Sequence, residues 1–470
     1  MKIILVNPPF SFDDLTGKTK SMTKVMNVIP PLGLCYIAAY LEKNDYDVSI
    51  IDGQLVDYAK TLNIIEKEQP DIIGIGSTTP AFPSALKLAE EIKIISPNTF
   101  IAIGGNHIAR LVEETLQFDC FDVGVLGEAE TTFLELVKSI EAKGKNELKE
   151  VKGLAFKDNG KIIITERGGF IRNLDELPFP ARHLIPPPSE YHPTPASYKR
   201  LPHADLITSR GCPYTCTFCD NGIFGPSYRE RSPENVMEEV ELLINKYNVR
   251  DIKFFDDVFT LNKKRAHKIC ELFAERKIDI PWACLTRADL VDKDTLMKMK
   301  KSGCWQVLFG IESGDQRILD LIRKKTTVEQ NIKAVRLAHE AGLSVRADYL
   351  FGIPGDSMES MKKTLNFAIN LNTDLAHFNK FTPYPGNEIY EELIKQDYKF
   401  DFLKNCTQLD HGDTLYVPDG VDKEEYLQFI DNSYRKYYLR PKYILKQIKS
   451  IRSFWDIKRF YNGFMAVAGL

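Results

Sequence analysis

No apolar run in this chain approaches the roughly 20 residues that a bilayer span needs. No basic, then apolar, then small-residue leader precedes the first strand, which starts at Lys2, so a cytoplasmic protein is expected. Net charge is also scarce. With 62 basic and 65 acidic residues the balance is −3, which gives no global pull on nucleic acid, and no nucleic-acid partner is expected. Cysteines are few and odd in number, nine in 470 residues, which speaks against a disulfide framework and for reduced thiols with a metal role. No Gly-x-Gly-x-x-Gly follows the first strand, so a nicotinamide or flavin domain fits poorly. Internal repeats and low-complexity tracts are absent too.

What the chain does have is length, enough for about three domains. From 1 to 143, short apolar strands alternate with helical stretches, the pattern of an α/β doubly wound (Rossmann-like) parallel sheet. Five strands are expected, at Lys2 to Pro8, Asp47 to Gly53, Ile72 to Ser77, Phe100 to Asn106 and Phe121 to Gly127. Their small or polar ends suit a bulky ligand beyond the carboxyl edge of the sheet. Residues 144–203 read as a β-hairpin around Asn159-Gly160, followed by a linker with eight prolines between Leu177 and Pro202. From 204 to 400 strand and helix alternate six more times, which predicts a partial (β/α)6 TIM-type barrel. Its strands are placed at Ala204 to Cys212, Ile252 to Phe259, Pro281 to Asp289, Trp305 to Ser313, Ser344 to Pro354 and Leu375 to Pro385. Residues 401–470 are expected to form a helical C-terminal tail.

Three of the nine cysteines stand together. Cys212, Cys216 and Cys219 are spaced four and three residues apart, directly after the first barrel strand. Three thiolates on one loop can hold three irons of a four-iron cluster and leave the fourth open to a ligand. A zinc site would need a fourth Cys or His at matching spacing. His203, the nearest candidate, lies before the strand. Cys35, Cys120, Cys270, Cys284, Cys304 and Cys406 are scattered and read as small buried hydrophobes.

The Cys-x-x-x-Cys-x-x-Cys loop in this position resembles the radical SAM superfamily. That resemblance implies a 4Fe-4S cluster whose open iron binds the amino and carboxyl groups of S-adenosylmethionine (SAM), which one electron cleaves to a 5'-deoxyadenosyl radical. It also implies roles for further residues. Phe218 would pack by the adenine. Glu312 and Ser313, in Gly310-Ile-Glu-Ser313 at the end of the fourth strand, would contact the ribose and methionine. Where the family often has Gly-Gly-Glu this chain has Phe-Asp-Asp, and either Asp256 or Asp257 retains an acceptor for the SAM ammonium. Arg287 offers a fork for the SAM carboxylate, or alternatively a barrel-wall salt bridge. Gly352-Ile-Pro-Gly355 resembles the stretch along the adenine.

The N-terminal domain coupled to this barrel resembles the cobalamin-binding branch of the same enzymes, over roughly residues 1 to 393. The residues that carry this likeness are Asn7-Pro-Pro9, Pro30-Pro-Leu-Gly33, Ser77-Thr78-Thr79, Gly104-Gly105-Asn106-His107 and Gly127-Glu128. Glycines and short hydroxyls there would line a broad groove for a flat corrin. The Asp-x-His-x-x-Gly signature of other cobalamin domains, whose His ligates cobalt, is absent. His107 is expected to cap or line the site rather than bind cobalt.

Between Arg435 and Arg459 nine basic residues interleave with aromatic and aliphatic ones, among them Tyr437, Tyr438, Tyr443, Trp455 and Phe460. Such a segment can lie on an anionic membrane surface, at the inner face of the membrane, or pack as a lid on the barrel with a solvated basic face. The membrane reading would make a lipid-like substrate attractive beside an ordinary small molecule. Tyr384, Asn387 and the tail are the expected substrate contacts. The resemblance implies methylation of an unactivated carbon from methylcobalamin, with a flavodoxin or ferredoxin as electron donor. The alternatives are radical ring closure or oxidation without methyl transfer, and a cobalamin and iron-sulfur sensor that makes no deoxyadenosine.

Overall fold

The computed structural model describes residues 1–9, 28–144, 147–403, 413–451, 456–457, 460–461 and 463–465. Its first sheet contains β1 (Ile3–Asn7), β2 (Val48–Asp52), β3 (Ile72–Gly76), β4 (Phe100–Gly104), β5 (Val123–Val125), β6 (Leu154–Asp158) and β7 (Lys161–Ile164). The order is β2-β1-β3-β4-β5-β6-β7, and the first five strands are parallel. The run Ile3 to Val6 shows why such a strand sits between helices. Ile3 and Leu5 enter one core with Leu41, Phe133 and Val137, whereas Ile4 and Val6 enter another with Phe82, Leu88 and Ile92. An uninterrupted apolar strand needs both faces covered. The order in which strands are added reverses between β1 and β3, and that topological switch opens a crevice beyond their carboxyl ends.

The hairpin forms where Asn159-Gly160 predicts it. Both turn residues have positive φ, 48° and 78°, the geometry of a two-residue turn matched to strand twist. It continues the first sheet as two antiparallel strands.

The second sheet begins with β8 (His203–Leu206), followed by the short antiparallel pair β9 (Ser209–Arg210) and β10 (Arg229–Glu230). It continues through β11 (Asp251–Phe254), β12 (Trp282–Thr286), β13 (Cys304–Glu312), β14 (Ser344–Phe351) and β15 (Leu375–Lys380). The order β8-β11-β12-β13-β14-β15 is sequential and wholly parallel, an open six-stranded barrel. Trp282, Phe254, Phe259 and Phe273 pack the space between these strands and their outer helices. The first barrel strand is shorter than the expected Ala204 to Cys212. The Asp256 carboxylate captures Thr208 N at 2.6 Å, Thr208 Oγ1 at 2.5 Å and Ser209 N at 3.0 Å, which turns the chain out of the sheet and toward the cysteine loop.

An open barrel leaves the outer edge of β15 with unpaired backbone groups. The tail covers it. Helix Lys423–Tyr438 lies along this strand, and the Tyr434 hydroxyl accepts from Phe378 N (3.2 Å) and donates to Phe378 O (3.0 Å). Tyr438 serves Ala376 N (3.0 Å) and Ala376 O (2.6 Å) in the same way. Residues four apart on a helix rise about 6 Å, and residues two apart on a strand about 6.6 Å, so the two spacings match. Of the residues named in the tail, Tyr437, Tyr438 and Tyr443 pack on the barrel. Arg452, Phe454, Trp455, Lys458 and Arg459 lie outside the described residues, as does Cys406. Among the described residues no helix is long and apolar enough to cross a membrane.

Candidate active site

The two sheets present their carboxyl ends to one cavity of about 1010 Å³. The cysteine loop forms part of its wall. Gly211 opens the loop at φ 85°, Asn221 Nδ2 donates to the carbonyls of Cys212 (3.3 Å) and Tyr214 (3.2 Å), and Cys219 N donates to Cys216 O (3.1 Å). All three thiols line the cavity. Burial pushes the Cys219 thiol up to about 12 and raises that of Cys212, and metal ligation, which takes the thiolate, would work against this. A lone zinc would hold its sulfurs about 3.8 Å apart, from a Zn–S bond of about 2.3 Å. Among the described residues no three His, Cys, Asp or Glu side chains come close enough to share one ion. His203 is occupied elsewhere, at 2.9 Å from Asp251 and 3.3 Å from Asp205. Three thiols on one loop, all lining the cavity, are the ligand set for three irons of a four-iron cluster.

Phe218, Asp257, Arg287 and Glu312 also line this wall. Glu312 is reached through a register slip between β13 and β14 at Gly310, and it adopts φ 65°. A bulge with a left-handed non-glycine residue is a local cost that typically marks a functional position. Lys324 meets Glu312 at 2.8 Å and sits 5.9 Å from the Phe218 ring centroid. Sequence reasoning missed Lys324. Its only signal was the basic triplet Arg323-Lys324-Lys325. The outer two residues are left-handed, with φ 49° and 56°, and the middle one enters the cavity. Tyr214 and Asp348 are further lining residues that went unnoticed.

Some expected residues turn away. Asp256 is 1% exposed, spent on the Thr208–Ser209 turn, and outside the lining, so Asp257 is the acidic residue that faces the cavity. Burial, and then the neighbouring Asp256 charge, raise the Asp257 pKa. Ser313 is likewise outside the lining: its hydroxyl pairs with Thr364 Oγ1 at 2.9 Å and receives Asp315 N at 3.1 Å. Asn387 caps the helix Glu388–Lys395 and donates to Tyr384 O, away from the cavity. Gly352 makes room for Tyr426 of the tail, which donates to Phe351 O at 2.9 Å.

The opposite wall belongs to the first sheet. Asn7, Gly33, Ser77 and Thr78 line it, with Gly104, Gly105, Asn106 and Gly127 beside them. Asn7 is oriented by donating to Asp52 at 2.8 Å, and Tyr191 of the linker holds the other Asp52 oxygen at 2.8 Å. A Cβ at Gly33 would meet nothing within 4 Å, because that backbone faces open cavity. A Cβ at Gly105, where φ is 107°, would strike the Ser77 carbonyl. These bare, flat surfaces fit a corrin-sized ring.

Glu128 is held by arginines. It touches the cavity, but its carboxylate pairs with Arg229 at 2.6 Å and Arg210 at 3.6 Å, and it accepts Ile171 N at 2.8 Å. Arg210 also meets Glu130 at 2.6 Å. These buried pairs join the first α/β unit to the β9–β10 pair and close the cavity's side. Arg110 and Asp220 form a further pair across the same seam. His107 is buried against Phe82, with ring centroids 3.8 Å apart, and outside the lining; burial lowers its pKa to about 4.

Comparison with known proteins agrees with this geometry. Residues 206–368 match the Radical SAM superfamily model and residues 19–137 the B12 binding domain model. An uncharacterized methyltransferase of Pyrococcus horikoshii is 36% identical over 99% of this chain and 98% of its own length. The anaerobic magnesium-protoporphyrin IX monomethyl ester cyclase of Cereibacter sphaeroides is 29% identical over 94% of this chain and 71% of its own. The fold matches the radical SAM methyltransferase TsrM of Kitasatospora setae, solved with cobalamin and a [4Fe-4S] cluster, with a TM-score of 0.72 at 17% identity over 99% and 98% of the two chains.

Proposed function

The chain belongs to the radical SAM enzymes that carry a B12-binding domain, and we propose that it methylates an unactivated carbon of a small-molecule substrate. The observation that carries this reading is one cavity with three cluster-type cysteines in one wall and a glycine-lined groove in the other. When bound, a 4Fe-4S cluster with an open iron and cobalamin supply, respectively, the electron that splits SAM into a 5'-deoxyadenosyl radical and the methyl group.

The chain's own residues hold, orient and exclude water. Asp257 accepts from the SAM ammonium. Lys324 faces the SAM carboxylate, and Glu312 faces the ribose and methionine. Phe218 packs by the adenine. Gly33, Gly104 and Gly127 would admit the corrin face, and Ser77, Thr78 and Asn106 would meet its amides. The seam of Glu128 and Glu130 with Arg210 and Arg229 keeps solvent from the radical. Leu285 and Leu308 beside Asp348 and Asn379 suit a substrate with an apolar body and a polar group.

Reduced thiols and the need for a low-potential electron support a cytoplasmic location with a flavodoxin or ferredoxin as donor. On helix Pro441–Ser450, Ile444, Leu445 and Ile448 are exposed beside Lys442 and Lys449, which supports peripheral contact with an anionic membrane and a lipid-like substrate.

The test is an anaerobic turnover with reconstituted iron and sulfide, dithionite as the electron source, added cobalamin and methyl-deuterated SAM. Methyl transfer expects S-adenosylhomocysteine and 5'-deoxyadenosine in equal amounts and label in the product. The likeness to the cyclase favours a second reading, ring closure or oxidation, which expects deoxyadenosine without S-adenosylhomocysteine. Bound corrin and cluster without deoxyadenosine would instead support a sensor.

A further inference from the structure

We propose that Arg287 tunes the cluster's reduction potential through Cys216 and does not bind SAM; this rests on the cluster reading above. Arg287 follows β12 and is 5% exposed. Its Nε donates to Asp289 Oδ1 at 2.9 Å, and its Nη2 donates to Asp289 Oδ2 at 3.2 Å and to the Lys324 carbonyl at 2.6 Å. A guanidinium has five N–H groups. One is on Nε and two are on Nη2, so all three are occupied. The bidentate clasp of a carboxylate takes two parallel donors on one edge of the fork, and no such edge remains.

The remaining nitrogen, Nη1, lies 4.0 Å from Cys216 Sγ. The flat face of the same group covers the Tyr214 ring at 3.7 Å from its centroid. Tyr214 and Cys216 both belong to the cluster loop, so the cation is keyed to that loop on two sides and anchored on a third. Hydrogen bonds and charge at the ligating sulfurs are what set cluster potentials. Reduction adds one negative charge to a cluster already held by three thiolates, and a buried cation in contact with one of them stabilises the added electron. Lys324 pairs with Glu312 as Arg287 pairs with Asp289, and what sets Arg287 apart is its approach to the Cys216 sulfur. Asp289 partly offsets Arg287. The two residues therefore act on the potential with opposite signs. Lysine would not substitute, because one ammonium on a flexible stem cannot serve the sulfur, the carboxylate, the carbonyl and the ring face together.

The test compares wild-type, Arg287→Gln and Asp289→Asn holoenzymes by iron content, by EPR-monitored redox titration without SAM, and by SAM affinity of the oxidised cluster. Arg287→Gln is expected to move the midpoint downward so that the reduced fraction at a fixed potential falls about tenfold, which is about 59 mV for one electron. Asp289→Asn is expected to move it upward, and SAM affinity should stay within about twofold in both. Unchanged midpoints at full iron content would overturn the proposal, as would a tenfold loss of SAM affinity with no shift in potential. If Arg287→Gln does not load iron, Asp289→Asn decides: no upward shift refutes the tuning role. Wild-type protein without about four irons per chain would instead refute the cluster reading itself.

Discussion

Tyr434→Phe removes one oxygen and leaves two backbone groups of β15 without partners. Phe378 N donates to that hydroxyl at 3.2 Å and Phe378 O accepts from it at 3.0 Å. Tyr434 is 4% exposed and Phe378 1%, so water has little access to replace the hydroxyl. Each buried backbone group left unpaired costs about 1–3 kcal/mol, and the phenyl ring itself keeps its packing. Taking the lower bound for each of the two groups, a local cost of about 2 kcal/mol is expected. At about 1.4 kcal/mol per factor of ten, opening of this edge becomes roughly thirtyfold more frequent. Hydrogen exchange followed by mass spectrometry reads this directly, since Phe378 N–H should exchange roughly thirtyfold faster while β11 and β12, deep in the sheet, keep their protection. The double variant with Tyr438→Phe should free Ala376 as well, and Tyr461→Phe, at a ring 63% exposed, should change nothing. Unchanged exchange at residues 376–380 in the double variant would refute the idea that the tail closes the barrel's edge.

The two neighbouring aspartates should separate cleanly. Asp256→Ala should lower iron loading and thermal stability because the turn into the cysteine loop loses three hydrogen bonds, whereas Asp257→Ala should load iron normally and weaken SAM binding about tenfold, read by calorimetry. Gly33→Phe places a ring in open space, so corrin retention, followed by absorption after gel filtration, should fall at least tenfold with the melting temperature unchanged. His203 adds a pH dependence. Burial pushes its pKa down, but the hydrogen bonds and charges of Asp205 and Asp251 outweigh that and hold it at about 9. The stabilisation is thus complete below the unfolded value of about 6.5 and is lost as pH rises through about 9. The melting temperature of wild type should fall between pH 7 and 10, and His203→Gln should flatten that slope.

Much of the architecture could be read from local pattern. Apolar strands ending on small residues, the Asn159-Gly160 turn and the cysteine spacing are short-range signals, because the physics behind each acts within a few residues. The same is true of the cavity's glycines, whose missing side chains need no partner to be understood. The site's polar residues were harder. Asp256 and Asp257 are adjacent and chemically identical, and only the fold of the loop after β11 sends one to the Thr208–Ser209 turn and the other to the cavity. Ser313 matched its expected motif, yet the bulge before it carried its hydroxyl to Thr364.

By itself, then, the sequence determined the two α/β units, their order and the three-thiol loop, since hydrophobic periodicity and ligand spacing are written in consecutive residues. Tertiary structure alone decided which charges meet. Glu128 clamps the seam because Arg229 arrives from about a hundred residues away. Lys324 reaches Glu312 because two left-handed residues aim it inward, and the tail's tyrosines become part of the barrel because β15 has an unpaired edge for them to satisfy. A buried polar group takes its role from the partner that folding brings to it, and no local pattern names that partner.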